Sequence, residues 1–372
     1  MKKMLIFCIM ALVLHSHTAF AYSVSAEYAC CMIAETGKVV YEKNAYSRHA
    51  MASTTKIMTA LLAIEQGTLD DTVTVSKNAA GQEGSSVYLR AGDKINMKNL
   101  LYGLMLNSGN DAAVAVAEHV SGSVEQFAAE MTEKAHAIGA KSTQFKNPNG
   151  LDADGHYTTA YDLALITREA LKQPAFKEIV STKSIHVPLE NNGSMLYLSN
   201  HNKMLQYYKG ATGVKTGFTK ATGRCLVSSA ERDGVEVIAV TLNAPDDWND
   251  HTKMLDDAFE KYERVQAVQQ GMVVKELSAG ETPVNAVLAE EVSTVCRKGT
   301  KPQADITLHL AERLAGPLDE GEKIGYAEVK TGGNVKTVDV LCDRAVVGEL
   351  KRDRIALREA FLKMLGFWAL MR

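Results

Sequence analysis

The chain has 372 residues, 46% of them hydrophobic, and a formal net charge of -3. That is an ordinary globular composition with room for about two domains. With no basic patch or stripe outside the C-terminal tail, it excludes a nucleic-acid-binding protein.

At the N-terminus, Lys2 and Lys3, the apolar stretch Met4 to Leu14, and the small-x-small Ala19-Phe20-Ala21 follow one another as in an export signal. Residues 1–21 are therefore expected to be removed, leaving a chain that works outside the cytoplasm. Cys8 leaves with them. The remaining Cys30, Cys31, Cys225, Cys296 and Cys342 are an odd, sparse set that forms no disulfide framework. Cys30 and Cys31 fall on a strand and so point to opposite faces, and no His/Cys spacing calls for a metal.

Tyr28 to Val40 alternates around Glu35-Thr36-Gly37-Lys38 and predicts a hairpin. Next comes His49-Ala50-Met51-Ala52-Ser53-Thr54-Thr55-Lys56 and the apolar run Ile57, Met58, Ala60, Leu61, Leu62, Ile64, which predicts a helix beginning at Ser53 and ending near Gly67. Residues three apart share a helix face, so the Ser53 hydroxyl and the Lys56 amine point the same way. Such a pair has two readings: a helix cap beside a solvated lysine, or a nucleophile beside its base. The second requires a lysine whose pKa is lowered by desolvation or nearby cations.

Thr72 to Val75 predicts a strand, and Gly81 to Gly92 a loop. An apolar helix from Lys98 to Leu106 and another from Ala112 to Val120 flank Asn107-Ser108-Gly109-Asn110-Asp111. A polar turn enclosed by apolar helices must satisfy its own hydrogen-bonding groups or be kept for chemistry, which makes Ser108 and Asn110 candidates. Phe127 to Gly139 and Ala160 to Leu171 predict helices, the latter ended by Pro174; Asn147-Pro148-Asn149-Gly150-Leu151-Asp152 is dense in turn formers. His156 lies in the loop between them, either functional or simply exposed. A hairpin about Asn191-Asn192-Gly193, another about Arg232-Asp233-Gly234, and a closing helix from Thr252 to Tyr262 complete this part.

Before the second of those hairpins runs Gly213-Val214-Lys215-Thr216-Gly217-Phe218. A strand edge presenting a cation, a hydroxyl and a residue without a side chain allows an extended substrate to lie alongside and bond to the backbone. Lys330-Thr331-Gly332 repeats the tripeptide, but alternating runs around Gly332-Gly333 make it a hairpin turn. Order distinguishes the first copy: Ser-x-x-Lys at a helix start, Ser-x-Asn between helices, then Lys-Thr-Gly on a strand.

With these motifs the chain from about Tyr28 to Tyr262 resembles a low-molecular-mass penicillin-binding protein, a D-alanyl-D-alanine carboxypeptidase of the serine peptidases. Asn147-Pro148-Asn149-Gly150-Leu151 and the Ser108-Gly109-Asn110 form of the second motif extend the likeness. The resemblance implies an α+β fold: a β-lactamase/transpeptidase-like peptidase domain (antiparallel sheet with helices), then a small β-rich domain and a C-terminal amphipathic helix. The expected divisions are 22–263, 264–350 and 351–372. The tail places Arg352, Arg354, Arg358 and Lys363 among Ile355, Leu357, Phe361, Leu362, Phe367 and Trp368, too short and too charged to span a bilayer but suited to its surface.

For the site, the resemblance implies Ser53 as nucleophile, Lys56 as its base and Ser108 as proton relay. Asn110, Lys215, Thr216, Gly217 and Phe218 would bind substrate, the backbone N–H groups of Ser53 and Phe218 forming the oxyanion hole. Relatives often carry histidine where Phe218 stands and arginine where His201 stands, which leaves open the cation that binds the substrate carboxylate. The implied partners are peptidoglycan stem peptides and β-lactam antibiotics, with peripheral membrane contact through the tail, at the outer face of the cytoplasmic membrane or in the cell-wall space. No metal or organic cofactor is required. The alternatives are a serine β-lactamase, disfavoured because no E-x-x-L-N stretch lies between Asn110 and Lys215, and a non-catalytic wall-binding or β-lactam-sensing protein.

Overall fold

The computed structural model describes residues 23–346, apart from 68, 192, 280–281 and 311–316. The predicted export signal and the predicted tail from Lys351 lie outside the described residues.

The site rests on one antiparallel sheet made of β1 (Tyr28–Ile33), β2 (Val39–Lys43), β3 (Ala211–Thr219), β4 (Gly223–Arg232) and β5 (Val235–Leu242), in spatial order β2-β1-β5-β4-β3. The long apolar runs of β1, β4 and β5 are explained by burial on both faces. Cys30 packs into the core on one face and Cys31 into the core on the other, as their strand alternation requires. Arg232 pairs with Val235, so β4 and β5 are joined by the two residues Asp233 and Gly234. Both have positive φ, as the hairpin turn matched to strand twist demands. β3 is an edge strand, and its free side faces the site.

One face of the sheet carries a helical body: α1 (Lys56–Gln66), α2 (Met97–Leu106), α3 (Asn110–Ser121), α4 (Val124–Ala137), α5 (Ala160–Ala170) and α6 (Pro174–Ser181). The other face is covered by α7 (Asp247–Lys261). α1 is buried on every side from Lys56 to Ala63, as expected of a helix with no polar face. Burial of Ile57, Met58, Leu61 and Leu62 contributes about 1.5–3 kcal/mol each. α5 ends at Ala170, ahead of Pro174 as expected, and Pro174 also opens the further helix α6, since the first helical position needs no N–H donor. α7 starts earlier than its apolar pattern suggested, because Asp247 and Asp250 in its first turn suit the positive end of the helix dipole.

The second part is β-rich. β6 (Tyr262–Val268) pairs with β9 (Val292–Arg297), while β7 (Val273–Ala279), β8 (Thr282–Leu288), β10 (Asp305–Leu310), β11 (Lys323–Thr331) and β12 (Asn334–Cys342) form a sheet in the order β7-β8-β12-β11-β10. It has its own core, which includes Val284, Ala327, Val329 and Val340. The second Lys-Thr-Gly forms the β11–β12 turn, with Gly332 and Gly333 at positive φ.

Candidate active site

Ser53 does not cap α1. It lies in a single 3-10 turn, Ala52–Thr55, entered through Ala52 at φ 46, and α1 begins one turn later at Lys56. Thr54 supplies the local closure, its hydroxyl donating to the Met51 carbonyl at 2.6 Å, which leaves the Ser53 hydroxyl for other use.

Lys56 is fully buried. Its Nζ lies 3.0 Å from Ser53 Oγ, 2.7 Å from Asn110 Oδ1 and 2.5 Å from the Asn149 carbonyl oxygen. Burial, and then the Lys215 cation, pull the Lys56 ammonium well below the ordinary lysine range. Asn110 opens α3 just after Ser108, whose φ of 61 is the kind of backbone strain found at functional sites. Its amide is held at both ends: Oδ1 accepts from Lys56, and Nδ2 donates to the Glu83 carbonyl at 2.6 Å. The second Nδ2 hydrogen is left for a further acceptor. Gly109 between them has no room for a side chain, since a Cβ would fall 2.7 Å from Asp111 Oδ1.

The third wall is β3. Lys215 is buried, donates to the Thr216 carbonyl at 3.0 Å, and is brought down to about 7 by burial. Gly217 allows the strand to press on the serine turn, because a Cβ there would lie 3.1 Å from Ser53 N and 3.2 Å from the Met51 carbonyl. Ser53, Ser108, Thr216, Gly217 and Phe218 all line one cleft of about 390 Å³, and Phe218 is 65% exposed. The residues expected to form a site are thus brought together, Lys56, Asn110 and Lys215 in the wall behind Ser53.

The structure adds residues that sequence reasoning missed. Asn149 was visible only as a turn former, yet its carbonyl holds Lys56. Gly150 beside it, at φ 89, lets that loop lie against Ala52. Arg224, Asp247 and Trp248 also line the cleft, with no motif to announce them. His201 lines it too, its imidazole pulled down by burial and by Lys215. His156 is buried rather than exposed and stands outside the cleft. Its Nδ1 accepts from Lys146 N at 3.0 Å, so Nε2 carries the proton and donates to Thr55 Oγ1 at 2.8 Å, bracing the serine turn from behind. Burial holds this ring at about 4, hence neutral. Among the described residues, no group of three or more His, Cys, Asp or Glu is placed to hold a metal.

The fold and the cleft are those of a serine hydrolase. A family model described as D-alanyl-D-alanine carboxypeptidase matches residues 15–246, and one for the C-terminal domain of penicillin-binding protein 5 matches 262–347. The chain belongs to the D-alanyl-D-alanine carboxypeptidase family. It is 36% identical over 323 residues to the D-alanyl-D-alanine carboxypeptidase DacF of Bacillus subtilis, covering 83% of this chain and 82% of that protein. With DacC of Escherichia coli it shares 31% over 335 residues, covering 85% and 82%. Among solved structures, penicillin binding protein 5 from Haemophilus influenzae superposes with a TM-score of 0.64 at 26% identity, covering 88% of this chain and 98% of that one. A Streptomyces DD-transpeptidase variant gives 0.62 at 34%, covering 64% and 99%.

Proposed function

We propose that this serine-type D-Ala-D-Ala carboxypeptidase works through an acyl-enzyme on Ser53, with Lys56 as base. The observation that carries the reading is the set of partners at Lys56 Nζ. Two of them, the Asn110 and Asn149 oxygens, can only accept, so a neutral amine spends both its hydrogens on them. The nitrogen lone pair is then left for the third direction, toward Ser53 Oγ, which donates. Burial and the neighbouring Lys215 lower the Lys56 pKa and so favour the neutral amine that the role of base requires.

Ser53 Oγ attacks the carbonyl between the two terminal D-alanines of a stem pentapeptide as its proton passes to Lys56. Backbone N–H groups of Ser53 and Phe218 hold the oxyanion, an effect worth about 2.7–4 kcal/mol per donor. The C–N bond breaks as Ser108 relays the proton to the leaving amine, and free D-alanine departs. Asn110 holds the substrate amide, Thr216 recognises the terminal carboxylate, and Lys215 adds positive potential from behind the strand. Water then hydrolyses the ester and restores the Ser53 hydroxyl. Penicillin, whose lactam carbonyl takes the place of the peptide carbonyl, acylates the same oxygen.

The chain organisation belongs to the same reading: a signal over 1–21, the peptidase domain over 22–263, the β-rich domain over 264–350 and an amphipathic tail over 351–372. It places the enzyme at the outer face of the cytoplasmic membrane, held peripherally by the basic, aromatic-bearing tail. Support comes from the charge and apolar patterning of the two termini. Among the described residues no helix is long and apolar enough to cross a membrane. The test is D-alanine release from a defined muropeptide pentapeptide: Ser53→Ala should abolish it, and full retention would remove Ser53 from the mechanism.

A further inference from the structure

Strand parity separates the two cations that flank the Lys-Thr-Gly strand. Thr216 pairs with Leu226 and Phe218 with Arg224, and side chains directly opposite one another stand on the same face of a sheet. Leu226 packs with Met254 and Leu255 of α7, so Thr216, Phe218 and Arg224 share the face that α7 covers. Lys215, one residue on, belongs to the opposite face, where its amine folds back on the Thr216 carbonyl and lowers the pKa of Lys56. The Lys215 ammonium is thus occupied behind the strand.

Arg224 stands diagonally across from Thr216, a separation of about 7–8 Å that a long side chain spans. Its Nη2 is 2.7 Å from the Asp247 carboxylate, which is buried at the start of α7, and its guanidinium lies 5.8 Å from the Trp248 ring centre. The Arg224 side chain is 44% exposed and Arg224 lines the cleft, so a fork anchored on Asp247 still has N–H groups for a second anion. The other basic groups in the cleft serve less well. Burial and Lys215 drive His201 toward its neutral form, and Lys203 is an exposed point charge.

We infer that Arg224, oriented by Asp247, is the residue that reads the free carboxylate of the substrate's last D-alanine, together with the Thr216 hydroxyl. The inference rests on the carboxypeptidase reading and adds to it a basis for choosing free chain ends over internal peptide bonds. In that role Arg224 is a specificity residue and Asp247 a positioning residue, while acylation chemistry stays with Ser53 and Lys56.

The test compares the full-length chain with Arg224→Gln, Arg224→Lys and Lys203→Gln on an acylated lysyl-D-Ala-D-Ala peptide and on its C-terminal amide. Arg224→Gln should lower kcat/KM for the free acid by about 10- to 100-fold and leave the amide within about twofold, the range of one charged hydrogen-bonding partner. Arg224→Lys should recover part of the difference, and Lys203→Gln should leave it intact. Stoichiometric labelling of the Arg224→Gln protein by penicillin shows that it is folded and that Ser53 still acylates. Equal losses on acid and amide, no loss on the acid, or transfer of the effect to Lys203→Gln would each overturn the assignment. A native enzyme that releases no D-alanine would instead overturn the carboxypeptidase reading itself.

Discussion

Gly150→Ala separates the support of the nucleophile from the nucleophile itself. Gly150 has φ 89, and a Cβ at this position would fall 2.0 Å from the Ala52 carbonyl oxygen and 2.9 Å from Ser53 N. Both atoms belong to the peptide that carries Ser53. Side-chain Cβ atoms do not approach closer than 3.0 Å, so the loop must withdraw by about 1 Å. The Asn149 carbonyl is attached directly to Gly150, and a shift of that size carries it from 2.5 Å toward the limit of hydrogen bonding with Lys56. Left-handed backbone costs an alanine about 1–2 kcal/mol and overpacking about 1–3 kcal/mol, giving a destabilisation of about 2–5 kcal/mol. Misplacing a catalytic group by about 1 Å costs roughly 100-fold. Urea denaturation measures the first effect and the second-order rate of penicillin acylation the second. A variant that keeps wild-type stability and acylates within about threefold would refute the claim that this loop fixes the base.

The buried lysines give a pH signature. Lys215 sits at about 7 in the fold, against roughly 10.4 when unfolded. Between these values the unfolded chain binds more protons, so stability should rise with pH across that window, with Lys56 acting in the same sense. In Lys215→Met the rise in urea midpoint from pH 7 to pH 10 should be shallower, and an unchanged slope would contradict the burial argument. Since Lys215 is the second cause of the lowered Lys56 pKa, its loss should also move the rise of acylation rate with pH to higher pH. In the first turn of α7, Asp250 accepts from Ser25 N at 2.8 Å, Ser25 Oγ at 2.7 Å and Ala26 N at 2.9 Å. Asp250→Ala should therefore cost about 2–4 kcal/mol in urea denaturation, with acylation of the folded protein unchanged.

Much of this arrangement is legible in sequence because its signals are local. Alternation placed Cys30 and Cys31 on opposite faces, and the Asp233-Gly234 turn announced its hairpin. The flanking of Ser108-Gly109-Asn110 by two apolar runs marked a polar turn between helices. What escaped depends on contacts between segments distant in the chain or on backbone angles that composition does not encode. A serine before an apolar run is expected to cap a helix. Only positive φ at Ala52, under a Gly150 almost a hundred residues away, turns it out into the cleft. Pro174 is a helix breaker locally, but as a first residue it starts α6. Arg224 and Asp247 carry no motif, because their meeting depends on strand register and on where α7 begins.

The most direct measurement is peptide mapping of the enzyme after brief exposure to penicillin, followed by mass spectrometry of the fragment containing Ser53 and Lys56. The added mass of one opened penicillin on Ser53, absent in Ser53→Ala and slowed by Gly150→Ala, is the expected result. Covalent label on any other residue, or undiminished labelling of Ser53→Ala, would contradict an acyl-enzyme at Ser53.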